Sequence, residues 1–349
     1  MNVPPTESST PTSYRFTDRS LVRPALTRWW FARLFPLLPR WLAANFVTLL
    51  STGSLLVVLA LSVEPTRWNP ALLALVFFVT MQLYVAGDHL DGMQAVASGT
   101  TSPLGDFLDH YCDLWAGCIL VFGFWALLGT AGRGALFGME ALLILGFAVT
   151  YAEREERRAL HFTRYGTLEA IVILSGFFLS WTVPPIRVWW QSSPVAGIPW
   201  YFVIIIIGAT MAIGAIAVIV RRMQTLPIPV AVFAVALASL CYALTRATSV
   251  PTLAAWFLVA AYGAGYVGRV MHGYLVPGRR SWPDAVGTLL VLGFAAWCVV
   301  GAAAAEQRSS AALGVIVYLS ASAMLSLGRI IASLRRYWVW INASREAGI

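Results

Sequence analysis

Five of the chain's seven aspartates fall within one stretch, GDHLDGMQAVASGTTSPLGDFLDHYCD, running from Gly87 to Asp113. Asp88 and Asp91 stand three apart, so on a helix they share a face. Gly92 and Ala95 continue that stripe, and small side chains there let a second helix or a ligand come close. After a polar turn, Ser102 and Pro103 suit the cap and first position of a new helix. Gly105, Asp109 and Asp113 then recur every four residues, again as one stripe. Two antiparallel helices would face each other with two carboxylates apiece. Four converging carboxylates cannot all stay ionised unless a cation compensates them. Hard oxygen donors suit Mg²⁺, Mn²⁺ or Ca²⁺ rather than zinc. Two such ions would serve phosphate chemistry, neutralising oxygens and clamping the attacking and leaving groups. Asp106 points off the stripe and reads as a first-turn helix charge. A proton or ion relay in a transporter is the other use of such a cluster.

The elements that must position these carboxylates are membrane spans. The chain has 349 residues, of which 59% are hydrophobic and 11% charged; soluble domains carry roughly 25% charged residues. A soluble protein this poor in charge would have an apolar, aggregating surface. Segments near 44–64, 70–87, 105–129, 134–152, 168–186, 200–220, 227–245, 251–268, 284–304 and 311–331 have the length and apolarity of spans. The expected fold is therefore all-α, a polytopic helical bundle of about ten transmembrane helices. The acidic stretch lies where the second span ends and the third begins, and carboxylates at membrane depth mark function by default. Residues 20–43 mix Arg with Trp, Phe and Leu. They read as an amphipathic helix lying in the interface, interrupted at Pro36 and Pro39, or else as a juxtamembrane linker. The Pro/Ser/Thr-rich start, 1–19, is expected to be disordered and lacks the pattern of a cleaved signal peptide.

Every basic residue is Arg, and the formal charge is +8. With ten spans, nineteen of the 24 Arg residues fall on one side. Only Arg67, Arg133, Arg187, Arg246 and Arg308 fall on the other. The positive-inside rule then puts both termini and the acidic junction in the cytoplasm. The charge concerns topology and anionic head groups, not nucleic acid. Cys112, Cys118, Cys241 and Cys298 show no paired metal spacing and read as small core residues.

Written as a pattern, the acidic stretch is D-x2-D-G-x2-A-x9-G-x3-D-x3-D. It resembles the CDP-alcohol phosphotransferase motif, matched by Asp88, Asp91, Gly92, Ala95, Gly105, Asp109 and Asp113 in residue and spacing. SPLG followed by DFLDHYCD looks more particularly like the choline/ethanolamine branch, which carries SPLG and a DHGCD run. Asn45 and Thr48, in LAANFVT, are similar to that family's PNxxT. The chain departs from the pattern where Val96 replaces an Arg, Ala97 a frequent second Arg, Tyr111 a Gly and Ala44 a Pro.

The resemblance implies that Asp88, Asp91, Asp109 and Asp113 hold two divalent ions, Mg²⁺ or Mn²⁺, on a CDP diphosphate. It also implies that Gly92 and Ala95 give room for the nucleotide, with Gly105 and Asn45 beside it. Glu169, in YGTLEA, faintly resembles a Glu-bearing stretch of the branch and would touch the nucleotide. It is equally explained as a helix N-terminal charge. An acceptor hydroxyl attacks the phosphate attached to the alcohol and CMP leaves. His110 is adjacent to the ligands and has a pKa suited to a base; Asp113 is the rival. His89 points away from the ligand stripe, and Arg269 and His272 either meet phosphate or snorkel to head groups. The implied activity is transfer of phosphoethanolamine or phosphocholine to a diacylglycerol-like lipid, on the cytoplasmic face, by a chain that family members suggest is a homodimer. Its alternatives are a phosphatidyltransferase using CDP-diacylglycerol and a small polar alcohol, or an inactive, lipid-binding relative. The expected organisation adds a transmembrane catalytic domain over 44–335 and a cytoplasmic tail over 336–349.

Overall fold

Inside a bilayer every backbone N–H and C=O must find its partner within the chain, so long apolar segments form helices. The computed structural model describes residues 15–17, 20–157, 159–161, 166–193, 197–276, 281–300 and 305–346. Its principal helices are α1 (Ala44–Ser62), α2 (Pro70–Ala97), α3 (Pro103–Leu128), α4 (Arg133–Arg157), α5 (Thr167–Trp181) and α6 (Pro184–Gln191). They continue with α7 (Phe202–Met223), α8 (Ile228–Arg246), α9 (Thr252–Leu275), α10 (Ala285–Val300) and α11 (Ala305–Glu346). The chain is a multi-pass membrane helical bundle. Two three-residue strands, β1 (Arg15–Thr17) and β2 (Ala159–His161), pair in parallel. Most of the N-terminal segment expected to be disordered lies outside the described residues.

The sequence predicts ten spans, and that count is approximate. Among the described residues eight helices are long and apolar enough to cross a membrane, or nine if one bent pair counts as a single span. The bent pair is α5 and α6, which meet at 113°. Pro184 and Pro185 open α6, and proline cannot continue the helix of the preceding turn. The shorter helix is α10, with 16 residues. Residues 20–43 fold as a succession of short helical turns between Arg23 and Leu37 rather than one helix. Their Trp29, Trp30 and Trp41 are exposed, while Phe31 is buried and stacks on His89 at 4.1 Å.

At the centre of the bundle is α9, whose most apolar window is 72% buried, whereas that of α7 is only 6% buried. The two differ because α9 packs on α3, α4, α8 and α11 together, while α7 rests chiefly on α4 among the described residues. Lipid tails are as apolar as Leu, so helices here associate through close packing rather than hydrophobic burial. Gly87 of α2 and Gly123 of α3 supply it: a methyl group at either would collide with Ser51 or Val58 of α1. Helix α1 is thereby pressed against the two aspartate-bearing helices.

Candidate active site

Helix α2 begins at Pro70, where the Asn69 side chain accepts the N–H groups of Ala71 and Leu72. Helix α3 begins at Pro103, where Ser102 Oγ accepts the N–H of Gly105 at 3.1 Å. Between them the chain turns on Gly99, whose φ of +67° is one that glycine adopts without strain. This short turn sets the last turns of α2 beside the first turns of α3, so the two aspartate stripes face one another.

The carboxyl of Asp88 lies beside those of Asp113 and Asp109. Carboxylates this close share protons or a cation, because both cannot carry bare charge. Ligand atoms of Asp109, His110 and Asp113 lie within 4.8 Å of one another, a spacing that could hold a metal ion. Asp113 also accepts a hydrogen bond from the Tyr84 hydroxyl at 2.6 Å. Asp91 is buried one turn along α2 and accepts a short hydrogen bond from Thr48 of α1. The donor set is oxygen-rich and desolvated, which fits a hard divalent cation.

His110 sits at the centre of the acidic cluster. Its Nε2 is 3.2 Å from Asp106 Oδ1, and its Nδ1 is 3.7 Å from both Asp109 Oδ2 and Asp113 Oδ2. Asp106 is in turn held by the buried guanidinium of Arg154, at 3.0 and 3.3 Å. Arg154 lies against the Tyr274 ring, 3.7 Å from its centroid. If Nε2 carries the proton donated to Asp106, the lone pair on Nδ1 faces Asp109 and Asp113. The first-turn charge read into Asp106 is thus also a brace for the imidazole. Removing Asp106 would leave the buried Arg154 charge without this partner, so the pair supports the ring firmly.

The other sequence candidates fall around this centre. Space beside Gly92 is open, and Gly92 is exposed. Ala95 is half-buried one turn further, and Val96 is 73% exposed at the mouth. A Cβ on Gly105 would lie 3.3 Å from Asn45 Oδ1, so the absence of a side chain at Gly105 lets Asn45 approach the start of α3. Tyr111 stacks on Phe107, with centroids 5.3 Å apart, and faces Gly268 of α9. His89 contacts Asp88 Oδ2 at 3.2 Å, although its ring leans on Phe31.

Glu169 has a different setting. One of its oxygens accepts from Ser20 Oγ at 2.7 Å and from the N–H groups of Leu21 and Val22 at 2.8 and 3.4 Å. The other accepts the N–H of Gly166 at 2.8 Å. The carboxylate therefore pins the N-terminal lead-in to the start of α5. Glu169→Ala is expected to release that lead-in. Trypsin should then cut at Arg28 at least several-fold faster than in the parent protein, read by mass spectrometry; unchanged cleavage would show that other contacts hold the segment.

Sequence reasoning missed Tyr84, the bracing part of Asp106, and Arg154. Tyr84 could have been found, since it lies four residues before Asp88 on the same stripe. Arg154 gave no local signal, because it comes from α4, 48 residues from Asp106.

Residues 41–192 match the family described as CDP-alcohol phosphatidyltransferase. The matched stretch is less than half of the chain. It contains every residue of the acidic centre. The chain is 26% identical over 194 residues to cholinephosphotransferase 1 of Xenopus laevis, covering 53% of this chain and 47% of the relative. It is 32% identical over 126 residues to choline/ethanolaminephosphotransferase 1 of Arabidopsis thaliana, covering 33% and 30% of the two chains. It is also 32% identical over 139 residues to the CDP-diacylglycerol–serine O-phosphatidyltransferase of Encephalitozoon cuniculi, covering 38% and 35%. The matched part of the chain thus spans about half or less of each of these relatives.

Proposed function

We propose that this protein transfers a phosphoalcohol from a CDP-alcohol to the hydroxyl of a diacylglycerol-like lipid, releasing CMP. The carrying observation is the convergence of Asp109 and Asp113, with Asp88 beside them, on a histidine braced by Asp106 and Arg154. Asp88, Asp91, Asp109 and Asp113 would hold two Mg²⁺ or Mn²⁺ ions, which when bound supply neutralising charge to the diphosphate oxygens. The open space at Gly92, with half-buried Ala95 beyond it, admits the nucleotide. Asn45, close against Gly105, borders the same space. Glu169 fixes the lead-in that borders the start of α5.

In the transfer, His110 Nδ1 takes the proton of the acceptor hydroxyl. The hydroxyl oxygen bonds the phosphorus that bears the alcohol. The bond from that phosphorus to the oxygen bridging it to the cytidine phosphate breaks, and CMP leaves with the electron pair. In this role Asp106 would hold the imidazole through Nε2, leaving Nδ1 on the reacting side. With Val96 in the place of the family's Arg, position 96 offers no guanidinium, and phosphate charge there would fall to cations held by the aspartates.

The likeness to choline and ethanolamine enzymes favours CDP-choline or CDP-ethanolamine as donor. The likeness to the serine enzyme keeps a second reading, CDP-diacylglycerol with a small polar alcohol. Purified protein supplied with a panel of CDP-alcohols and lipid acceptors, read by CMP release, separates them. Release only with CDP-diacylglycerol would select the second. Release with none would favour an inactive, lipid-binding relative.

The Arg asymmetry puts the acidic centre on the cytoplasmic face. In a background without cysteines, Glu156→Cys is expected to react with a membrane-impermeant thiol reagent only from the cytoplasm, and Ser192→Cys only from outside. Both positions are exposed. The reverse labelling would overturn this orientation. We expect a homodimer, with the poorly buried faces of α7 and α11 available to lipid or a second copy.

A further inference from the structure

A second polar pocket, of about 290 Å³, opens between the end of α9, the start of α10 and the middle of α11. Arg269, Asp284, Tyr318, Ser322, Ser326 and Arg329 line it. Asp284 is already well supplied with donors: Ser322 Oγ at 2.5 Å, the Tyr318 hydroxyl at 3.1 Å, and the backbone N–H of Gly287. Arg269 reaches Asp284 only at 3.6 Å and otherwise donates to two neutral hydroxyls, Ser322 at 3.4 Å and Ser326 at 3.3 Å. Arg329 is exposed at the rim and has no ion-pair or hydrogen-bond partner among the described residues. Two guanidinium groups therefore face one saturated carboxylate, leaving the pocket one positive charge in excess. Guanidinium forks and hydroxyl donors are the groups that bind phosphate oxygens.

The surroundings select an amphiphile. Leu325, which lines the pocket, and its neighbour Met324 are 63% and 72% exposed on the outer face of α11. Trp282, two residues before Asp284, is 54% exposed, as aromatic residues are at the level of head groups. A phosphate seated between Arg269 and Arg329 would carry its acyl chains down this apolar face. Ser326 also lines, with Phe107 and Tyr111 of α3, a separate narrow cleft against α9. Ser281 ties the same corner to α4, donating to Arg269 O at 2.8 Å and to Glu155 Oε1 at 3.3 Å.

We infer that this pocket binds the phosphate of an anionic lipid head group, at a site separate from the aspartate centre. The test uses the full chain in detergent micelles, with lipid retention read by native mass spectrometry. Dioleoylphosphatidylglycerol is expected to be retained at one equivalent and about tenfold more tightly than dioleoylphosphatidylcholine, whose choline cancels the phosphate charge. Arg329→Gln, at an exposed position where folding is not at stake, should erase that tenfold preference. Arg269→Lys, which keeps the charge but loses the fork, should weaken it several-fold. Equal retention of the two lipids, or a preference unchanged by Arg329→Gln, would overturn the inference. So would displacement of phosphatidylglycerol by low-millimolar inorganic phosphate or glycerol phosphate, which would identify a site for free phosphate instead.

Discussion

Asp91→Asn and Asp109→Asn should each reduce CMP release by at least about 100-fold. Both changes keep the side-chain shape and remove one negative charge. Replacing mere supporting residues around a metal typically costs 10–100-fold in affinity or activity, so loss of a ligand itself should cost more. The two positions probe the centre from opposite helices: Asp109 belongs to the group that closes on His110, while Asp91 is buried against Thr48. EDTA should silence the parent protein, and Mg²⁺ or Mn²⁺ should restore it. Binding of a CDP-alcohol should lose its dependence on metal in both variants. Full activity in a metal-free preparation would refute the assignment of these carboxylates as ligands.

His110→Ala should lower turnover by about 10²–10⁴-fold, the usual contribution of a positioned base. Affinity for the CDP-alcohol should hardly change, since a proton-accepting group acts in the transition state rather than in the ground state. The parent's activity should rise with pH as the base loses its proton, and the variant should lack that limb of the profile. The prediction is sharp because Asp106 and Arg154 already hold the ring, so the substitution removes a fixed group rather than a mobile one. An unchanged rate would move the role to Asp113, which the Tyr84 hydroxyl holds in place. Collapse of nucleotide binding would instead assign His110 to holding the donor or its metal.

The class of the fold and the shared helix faces of its aspartates were legible in the residues alone, because both rest on periodic, local signals. An apolar stretch near 20 residues long has one way to satisfy its backbone in lipid, and aspartates at three- and four-residue spacing must share a helix face. The caps were readable as well, since Ser102 and Pro103 act on the N–H groups of their own first turn. Tertiary contact decided the rest. The sharp bend between α5 and α6, and the helical turns of the lead-in, depend on what those short segments pack against. Glu169 reads from the sequence as a nucleotide contact or a helix N-terminal charge; that it also holds the folded lead-in depends on tertiary contact. Asp106 looked like an ordinary first-turn charge because its partner, Arg154, arrives from a helix that begins 27 residues later in the chain. The pairing of Arg269 with Asp284 and the hydroxyls of α11 likewise joins residues up to 57 apart. Spacing along one helix fixes which side chains point together; which helices then meet is set by the packing of small residues such as Gly87 and Gly123, and that is a property of the whole bundle.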